Sequence, residues 1–491
     1  MMNIRKKLVT LAVASAVSGG AMMMATPVYA LDMNVSQNNI GEVLLFPYYT
    51  VRNGYDTLFT VTNTANTTAV VKIRWREALN SREVRDFNVI LSPFDHWGGV
   101  ITATTDGALI RVFDKSCTSP QLPASSVAGA TEVAFTNSLF AGNFKDGATE
   151  EMGRVREGYF EVVLMGQLPN TAGTKGDVTN STNTLAFNAK HVSNVPRNCA
   201  TVDNLFLPGA LATLNASGGG TSAAPLPFPE PTNILKGHVT YINVVKGSAI
   251  DSEPTALENF NSGTAQLFEP GDLRPQLSDG DLLGSALSVR NGAAVSFASA
   301  AGSQNRVSDL LRATSVINEY ATGSGAGTSW VLTFPTKHHY TDSYVAGTGP
   351  TAVNQPVVAG GGFSEWFYNT PAIADGKSCD NIGVTFYNRE EATAVAGGTA
   401  FSPVSATGSA ELCYETNVVD FNGTSIFGGA INRLGVNTAA VGTAGWAQLS
   451  FAEGPAVTAG GLPVIGFAAI VRDAASASVN FGSSTEHTFT K

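Results

Sequence analysis

Val71-Lys72-Ile73-Arg74-Trp75-Arg76 decides the fold class, because apolar and cationic side chains alternate along this stretch. Successive side chains of a β-strand point to opposite faces of the sheet, so the alternation predicts a half-buried strand with its three cations on the solvent face. The alternation returns in Phe87-Asn88-Val89-Ile90-Leu91 and ends at Ser92-Pro93. Two such strands joined by a short polar connection are typical of one edge of an immunoglobulin-like β-sandwich.

The composition favours the same class over the whole chain. Charged residues make up 14% of the sequence, against about 25% in an average domain. A chain poor in Lys and Glu lacks the residues that build exposed helices, whereas its Thr, Val, Phe and Tyr suit strands and its Gly and Asn suit turns. The sequence therefore predicts a mainly β protein built from immunoglobulin-like β-sandwich domains.

One segment departs from the β pattern and predicts a short helix near 307-319. Ser308 or Asp309 suits the N-terminal cap of this helix. Its apolar side chains recur at helical spacing, at Val307, Leu310, Leu311, Thr314 and Ile317.

The first 30 residues have the features of a secretory signal peptide. Arg5-Lys6-Lys7 forms a basic start, Leu8 to Val17 is apolar, and Pro27-Val28-Tyr29-Ala30 offers small residues for cleavage before Leu31. The apolar run is too short for a permanent membrane anchor. The sequence predicts export, with extracellular or cell-surface placement favoured over the periplasm.

Proline-rich and glycine-rich stretches predict the domain boundaries. Gly218-Gly219-Gly220, followed by four prolines before residue 232, marks the best linker. The predicted division is a signal peptide at 1-30, an N-terminal β-sandwich domain at 31-213, a linker at 214-231, a second β region at 232-345, a flexible loop at 346-362 and a C-terminal β region at 363-491.

Charge narrows the choice of partners. The chain has 29 basic and 39 acidic residues, and three of the basic ones lie in the leader, which leaves a net charge near −13 after Leu31. Such an acidic protein disfavours nucleic acid and anionic membrane surfaces as partners. No stretch after the leader is apolar for long enough to cross a membrane as a helix.

The four cysteines form two separated pairs in the sequence. Loop-closure entropy favours the local pairing, Cys117 with Cys199 and Cys379 with Cys413, over the other two connectivities. A redox or metal site needs closer spacing such as C-x-x-C, which the chain lacks. We therefore expect two structural disulfides, as in exported proteins.

Three stretches carry a resemblance to known sequences. They are Gly41-Glu42-Val43-Leu44-Leu45-Phe46-Pro47-Tyr48-Tyr49, Ser329-Trp330-Val331-Leu332-Thr333-Phe334-Pro335-Thr336-Lys337 and Gly461-Leu462-Pro463-Val464-Ile465-Gly466-Phe467. These segments resemble uncharacterised exported β-rich proteins of Gram-negative bacteria. The resemblance implies export and β architecture, and it implies no activity.

His338-His339 is the one adjacent pair among six histidines. Neighbouring side chains on a strand point to opposite faces, so both rings reach one metal ion only at a bulge or turn. We favour the ordinary interpretation, a polar strand end after Phe334-Pro335.

Two further groups have residue types suited to acid-base chemistry. Asp95-His96-Trp97 places a carboxylate before a histidine, but no nucleophile motif accompanies it, and an Asp after Ser-Pro-Phe suits a turn. Carboxylates for sugar chemistry occur at Glu365 and at Glu390-Glu391. The aromatic run Trp366-Phe367-Tyr368 beside Glu365 suits either stacking on a sugar ring or packing in a core, and we favour packing.

Calcium and the common enzyme motifs find little support. Asp279-Gly280-Asp281, near Glu269 and Asp272, resembles part of a calcium loop but lacks its ligand spacing, so we favour a turn. The sequence contains no G-x-S-x-G elbow, phosphate loop, H-E-x-x-H or C-x-x-C-H motif. We assign no catalytic, cofactor-binding or metal-binding residue and no cofactor.

These observations favour a secreted or cell-surface non-enzymatic protein with a structural, self-associating or adhesive role. Its expected partners are further copies of itself or other surface components. The first alternative is an extracellular or periplasmic carbohydrate-binding or carbohydrate-cleaving β protein. The second is an outer-membrane β-barrel, which the short, proline-interrupted strands disfavour.

Overall fold

Antiparallel strands account for most of the regular structure. The computed structural model describes residues 33–217, 228–261, 267–280, 287–290, 293–296, 303–323, 325–341, 367, 377–391, 393–396, 410–429, 431–451, 460–473 and 480–491. The predicted signal peptide, the predicted loop at 346–362 and the residues Glu365, Trp366, Tyr368 and Asp281 lie outside these ranges. Leu31–Lys491 forms one compact unit.

The strands are, in chain order, β1 (Asn34–Val35), β2 (Val43–Thr50), β3 (Asp56–Asn63), β4 (Thr67–Glu77), β5 (Glu83–Leu91), β6 (His96–Ala103), β7 (Ala108–Val112), β8 (Cys117–Ser119), β9 (Thr131–Ala134), β10 (Glu157–Pro169), β11 (His191–Val192), β12 (Val195–Pro196), β13 (Leu235–Asn243), β14 (Ser248–Ser252), β15 (Thr255–Glu258), β16 (Leu287–Arg290), β17 (Ala293–Ser296), β18 (Arg312–Ala313), β19 (Ser315–Ala321), β20 (Ala326–Thr333), β21 (Asp380–Asn388), β22 (Thr393–Ala396), β23 (Ala410–Leu412), β24 (Thr416–Phe421), β25 (Arg433–Val436), β26 (Ala444–Phe451), β27 (Leu462–Pro463), β28 (Ile465–Asp473), β29 (Asn480–Glu486) and β30 (Thr488–Thr490). The α-helices of the described ranges are α1 (Thr184–Ala189), α2 (Cys199–Asn204), α3 (Pro208–Ser217) and α4 (Ser303–Leu311). None of them has the length and apolar character needed to span a bilayer.

Two sheets face each other in the first half of the chain. One has the strand order β1-β15-β2-β10-β4-β5-β8, and the other has the order β14-β13-β3-β6-β7-β9. Their inner side chains form one core in which the Phe59 ring centroid lies 5.7 Å from that of Trp75 and 5.4 Å from that of Phe160. Aromatic contacts of this length join the two sheets.

A second pair of sheets forms the other half. The five-stranded sheet has the order β25-β24-β20-β28-β29, and the sheet facing it has the order β22-β21-β26-β19-β30, with β23 also paired to β21. Their shared core includes Trp330, Phe386, Phe421 and Leu449. We call the sheet that contains β21, β26 and β19 the outer sheet.

The two halves share one core. The second face of the five-stranded sheet contributes Val331, Val418 and Phe467 to the core that contains Tyr48 and Tyr241. The first pair of sheets also takes β13, β14 and β15 from residues beyond the predicted linker. The domain boundaries expected from the sequence stay predictions.

Helices cover the outer face of the seven-stranded sheet, where the sequence predicted none. Helices α1, α2 and α3 pack on Val70, Ile90 and Met165 of this sheet. These helices are short, and α3 has almost no amphipathic pattern, because its sequence PGALATLNAS is apolar or small nearly all round. Tertiary packing rather than helical periodicity therefore holds them.

The helix predicted near 307-319 exists but is displaced. Helix α4 runs from Ser303 to Leu311, so Ser308 and Asp309 lie inside it rather than at its start. Strand β19 begins at Ser315, where the sequence pattern still predicted helix. Val316 of this strand packs in the core between the second pair of sheets, whose strand pairing overrides the local spacing.

Candidate functional site

The cations of β4 belong to a buried ionic cluster, which we define as Lys72, Arg74, Arg76, Glu83, Asp86 and Glu161. Arg74 Nε donates to Glu83 Oε2 at 2.7 Å, and Arg74 Nη1 donates to Glu161 Oε1 at 3.0 Å. Lys72 Nζ lies 3.0 Å from Asp86 Oδ2. Each cation of the cluster thus faces a carboxylate across the sheet.

The predicted solvent face of β4 is wrong, because all three cations are at most 1% exposed. Residues 267–280 cover Lys72 and Arg74 on this face, and their backbone carbonyl groups accept hydrogen bonds from both, whereas Arg76 Nη1 donates to the Ser81 carbonyl oxygen at 2.8 Å. Lys72 Nζ donates to the carbonyl oxygens of Glu269 and Asp272, and Arg74 Nη2 donates to that of Leu273. Burial is tolerated because each of the three cations has a carboxylate and at least one carbonyl oxygen as partners.

In the buried ionic cluster, the neighbouring cations keep the Glu161 carboxylate ionised. Burial alone raises the pKa of Glu161, but the guanidinium groups of Arg76 and Arg74 outweigh it and hold that pKa below its usual range. An ionised carboxylate between two fixed guanidinium groups is a poor proton acceptor. Glu161 is therefore a structural partner of the two guanidinium groups rather than a proton acceptor, whereas burial raises the pKa of Glu83 and lowers that of Lys72.

His338 and His339 lie in a 3-10 turn, Lys337–His339, and not at a polar strand end. Both are 1% exposed. His338 Nδ1 lies 3.4 Å from the Tyr159 hydroxyl oxygen, and neither ring nitrogen of His339 has a hydrogen-bond partner. Burial, reinforced by the charge of Arg76, lowers the pKa of His339 to about 3. Both rings are therefore neutral at ordinary pH.

A metal site at this histidine pair gains no support. Within the described ranges, one group of three potential ligands has its atoms close enough to hold an ion, and it consists of Cys379, Glu411 and Cys413. The two sulfur atoms of that group form a disulfide, and a second disulfide joins Cys117 to Cys199. Two disulfides are typical of an oxidising, exported environment.

Asp95, His96 and Trp97 do not assemble into a catalytic group. The Asp95 carboxylate accepts hydrogen bonds from the backbone N–H groups of Ser92, at 2.9 Å, and of His96, at 3.0 Å, as a turn residue does. His96 Nδ1 lies 2.7 Å from the Thr62 hydroxyl oxygen, and Trp97 is buried in the core. The turn interpretation of Asp95 fits these contacts.

The remaining sequence candidates are also separated. Asp279 Oδ2 accepts from the Gln276 backbone N–H at 2.7 Å, which closes a turn. Phe367 is buried against Phe334, with ring centroids 5.9 Å apart, so it packs in the core. Glu390 and Glu391 follow β21 in an exposed turn. The described residues bring none of these carboxylates into a shared cleft.

A cavity of about 440 Å³ lies between β1, the β14–β15 connection and strands β28 to β30. His487 is the titratable ring on its wall. Its Nδ1 lies 2.9 Å from Asn318 Nδ2, and its Nε2 lies 3.1 Å from the Val331 carbonyl oxygen. Because both ring nitrogens are engaged, this histidine holds the wall together and has no nitrogen left for a ligand.

The outer sheet presents an exposed pair of stacked aromatic rings. Tyr387 on β21 stands directly opposite Trp446 on β26. Their ring centroids are 4.0 Å apart, and the ring planes differ by 10°. Trp446 remains 38% exposed, although large aromatic side chains usually pack inside. An exposed, pre-stacked aromatic pair is the kind of surface feature that marks a binding site.

Polar, apolar and acidic side chains flank this pair on the same face of the outer sheet. Gln448 and Thr385 stand opposite each other one step along β26 and β21, and Ile317 on β19 is the other partner of Gln448. Glu319, also on β19, stands opposite Trp446. We call these six residues, Tyr387, Trp446, Thr385, Gln448, Ile317 and Glu319, the aromatic face.

Alternation along the strands explains why the aromatic face is exposed. Ala447, Leu449 and Phe451 of β26 point into the core, which leaves the residues between them to point outward. Gly445 brings the strands together beside Tyr387, since a Cβ atom there would lie 1.9 Å from the Tyr387 carbonyl oxygen. The aromatic pair thus rests on a close-packed support.

The sequence analysis did not select Tyr387 or Trp446. The alternation of Trp446 with the buried Ala447, Leu449 and Phe451 is a signal that an aromatic side chain faces outward. The missing information is the register that places Tyr387 beside Trp446, which local sequence does not specify. Comparisons with protein-family models, curated proteins and solved structures found no match.

Proposed function

We propose that this chain is an exported, non-enzymatic protein with a structural, self-associating or adhesive role at the cell surface. The aromatic face is its contact surface, and the stacked, exposed pair Tyr387 and Trp446 is the observation that carries the proposal. The cleaved leader at 1-30, the immunoglobulin-like character of the sandwiches, the likeness to exported proteins of Gram-negative bacteria and the surface location belong to the same proposal.

The distribution of charge supports a binding role over a catalytic one. Many ionisable groups form buried salt bridges, such as Arg154 with Glu77 and Arg433 with Glu157. His191 Nδ1 lies 3.4 Å from Asp95 Oδ2 and 3.4 Å from the Ser92 hydroxyl oxygen, so one ring nitrogen faces both groups, whereas a hydrolase triad uses a separate nitrogen for each. The aromatic face instead presents two aromatic rings, a hydroxyl group, an amide, an aliphatic side chain and one carboxylate, Glu319, which form contacts without chemical turnover.

Protease shaving of intact cells tests the location. A peptide containing Trp330 is followed in parallel with fractionation of periplasm, outer membrane and medium. We expect its release by protease or its presence in the medium. Protection of the peptide together with recovery in the periplasm would contradict the cell-surface role.

Contact formation is tested on the purified chain from Leu31 onward. Sedimentation of the protein alone, over a hundredfold range of concentration, measures self-association, and retention on fixed whole cells measures adhesion. We expect at least one of the two to occur and to weaken in Trp446→Ala. A monomer that is not retained on cells would overturn the contact role.

A further inference from the structure

We propose that the aromatic face binds a neutral polysaccharide chain. This inference rests on the contact role proposed above and gives that role a ligand class. Four features point to this ligand: the aromatic pair, the polar side chains beside it, the sheet that supports it and the charge at its rim.

The first argument is the chemistry of the aromatic pair. A pyranose ring presents a face of C–H groups, which packs favourably on the face of an aromatic ring. Tyr387 and Trp446 already stack on each other at 4.0 Å, so their orientation is fixed before a ligand arrives. A fixed side chain loses little conformational entropy on binding, and this preorganisation favours affinity.

The second argument is the set of hydrogen-bonding groups beside the pair. Sugar hydroxyl groups donate and accept, and they match side chains that do the same. Thr385 and Ser450 offer hydroxyl groups, and Gln448 offers an amide whose Nε2 donates to Ser315 Oγ at 2.9 Å. That internal bond orients the Gln448 side chain beside the aromatic pair.

The third argument is shape. The outward residues lie on β21, β26 and β19, which run side by side in one sheet. Neighbouring strands are about 4.7–4.9 Å apart, so the face repeats its contacts at a short, regular distance across the strands. A polymer with a regular repeat fits such an open sheet face, whereas a compact small molecule is better held by a concave pocket.

The fourth argument is charge. Glu319 lies within the aromatic face, and the exposed turn after β21 adds Arg389, Glu390 and Glu391 at its rim. Three carboxylates against one guanidinium give this region a net negative charge, and the whole chain is also acidic. An acidic surface repels uronate and sulfate polymers, and it tolerates a neutral one.

Affinity electrophoresis in native gels tests the ligand class on the purified chain from Leu31 onward. The gels contain one polysaccharide each: soluble β-glucan, α-glucan, mannan and xylan as neutral polymers, and alginate and dextran sulfate as polyanions. We expect retardation by at least one neutral polymer and by neither polyanion. Retardation by none of the neutral polymers, or by the polyanions alone, would overturn the proposal.

Three variants locate the binding. Trp446→Ala is expected to weaken the retained interaction by about tenfold or more, because it removes a buried aromatic contact in the complex. Trp446→Phe should keep part of the affinity, since it keeps an aromatic face. Phe481→Ala is the matched control, because Phe481 is 62% exposed on β29, outside the outer sheet, and its removal should change nothing.

The readouts separate this inference from the contact role. Thermal melting of each variant shows whether it is folded, and a misfolded Trp446→Ala is replaced by Tyr387→Ala. If Trp446→Ala abolishes self-association while no neutral polymer retards the wild type, the aromatic face serves a second copy of the chain and the polysaccharide inference is wrong. Equal retardation of the wild type, Trp446→Ala and Tyr387→Ala by a neutral polymer would also overturn the polysaccharide inference.

Discussion

Arg74 shows how a strongly charged side chain is kept inside a β-sandwich. Its guanidinium group contacts the Glu83 and Glu161 carboxylates and two carbonyl oxygens of the covering segment. Methionine has a similar length but no charge, so Arg74→Met leaves Glu161 buried with one cation fewer. Removing one partner of a buried pair costs about 3–5 kcal/mol, and we expect that loss in the free energy of unfolding measured by urea titration.

Arg111→Met is the control for this variant. Arg111 pairs with Glu132 at 3.1 Å, and both side chains are about one quarter exposed. A pair in contact with water contributes about 1 kcal/mol or less. Similar losses in the two variants would show that the cover over β4 does not exclude water.

The buried histidines predict how stability depends on pH. The pKa of His339 lies at about 3 in the folded chain, below the ordinary value of 6.5, because burial penalises the charged ring. The unfolded chain therefore binds a proton that the folded chain refuses between pH 6.5 and 3, so stability falls as the pH falls through this window. Each such histidine contributes a slope of about 1.4 kcal/mol per pH unit.

His339→Gln should flatten this dependence. Between pH 6 and pH 4.5 we expect the wild type to lose about 1–2 kcal/mol more unfolding free energy than the variant does. Any packing change made by glutamine is present at every pH, so comparing slopes removes it. Identical slopes for wild type and variant, measured by urea titration at four pH values, would show that the ring is accessible to water in the folded chain.

Within strand β26, Gly445 positions the aromatic pair Tyr387 and Trp446. It does so by having no side chain, which lets β26 lie close to β21. Gly445 stands opposite Asn388, and a methyl group on it would collide with the Tyr387 carbonyl oxygen. Gly445→Ala therefore separates β26 from β21 where the aromatic pair forms. We expect a loss of about 1–3 kcal/mol in unfolding free energy, and weaker stacking of Tyr387 on Trp446.

Gly435→Ala is the matched change in another strand. A Cβ atom at Gly435 of β25 meets nothing within 4 Å, so this variant should unfold like the wild type. The near-ultraviolet circular dichroism signal and the fluorescence of Trp446 report on the stacked pair. If Gly445→Ala kept both spectra and the stability of the wild type, the close approach of the two strands would not be what positions the aromatic face.

Strand elements were predictable from local sequence, and their surroundings were not. Alternation gave β4, β5 and the inward positions of Val71, Ile73 and Trp75, which do point into the core. The same pattern gave the wrong environment for Lys72, because residues far along the chain, at 267–280, cover that face. Local periodicity reports which side chains share a face, but what covers the face depends on tertiary contacts.

The candidate site also depends partly on local sequence and partly on tertiary contacts. The sequence analysis weighed the aromatic run at 366–368 beside Glu365 as a sugar-stacking group or a core group and favoured packing, and Phe367 is a core residue. The pair that the structure exposes, Tyr387 and Trp446, comes from two strands separated by a long stretch of chain. Only the pairing of β21 with β26 creates their stacked geometry, so neither strand sequence predicts it alone.

In the whole molecule, the two halves are joined by the same kinds of contact that hold each half together, namely hydrogen bonds and aromatic stacking. Thr333 Oγ1 donates to the Pro47 carbonyl oxygen at 2.6 Å, and the Tyr241 and Phe467 rings stack with centroids 5.4 Å apart. Backbone N–H groups of residues 415 and 416 donate to carbonyl oxygens of residues 79 and 78. Such shared packing couples the unfolding of one half to that of the other.

Glu157 is the ionic centre of this junction. Its carboxylate lies 2.7 Å from Arg52 Nε and 2.8 Å from Arg433 Nη2, and it accepts from the Tyr48 hydroxyl at 2.8 Å. Burial raises its pKa, but the charges of Arg433 and Arg52 outweigh that effect and hold the pKa below its usual range. One carboxylate thus neutralises cations from both halves of the chain.

Calorimetry of Glu157→Gln tests whether the halves unfold together. We expect the wild type to show one heat-absorption peak, and the variant to show one peak at lower temperature, because the buried Arg433 and the partly exposed Arg52 lose their counter-ion, at a cost of about 3–5 kcal/mol for the buried pair. Glu132→Gln, which changes a partly exposed pair, should move the peak far less. If the wild type showed two peaks and Glu157→Gln moved only one of them, coupled unfolding would be contradicted. That result would favour the separate domains that the sequence predicts, because an independent half would not respond to a charge lost from the other half.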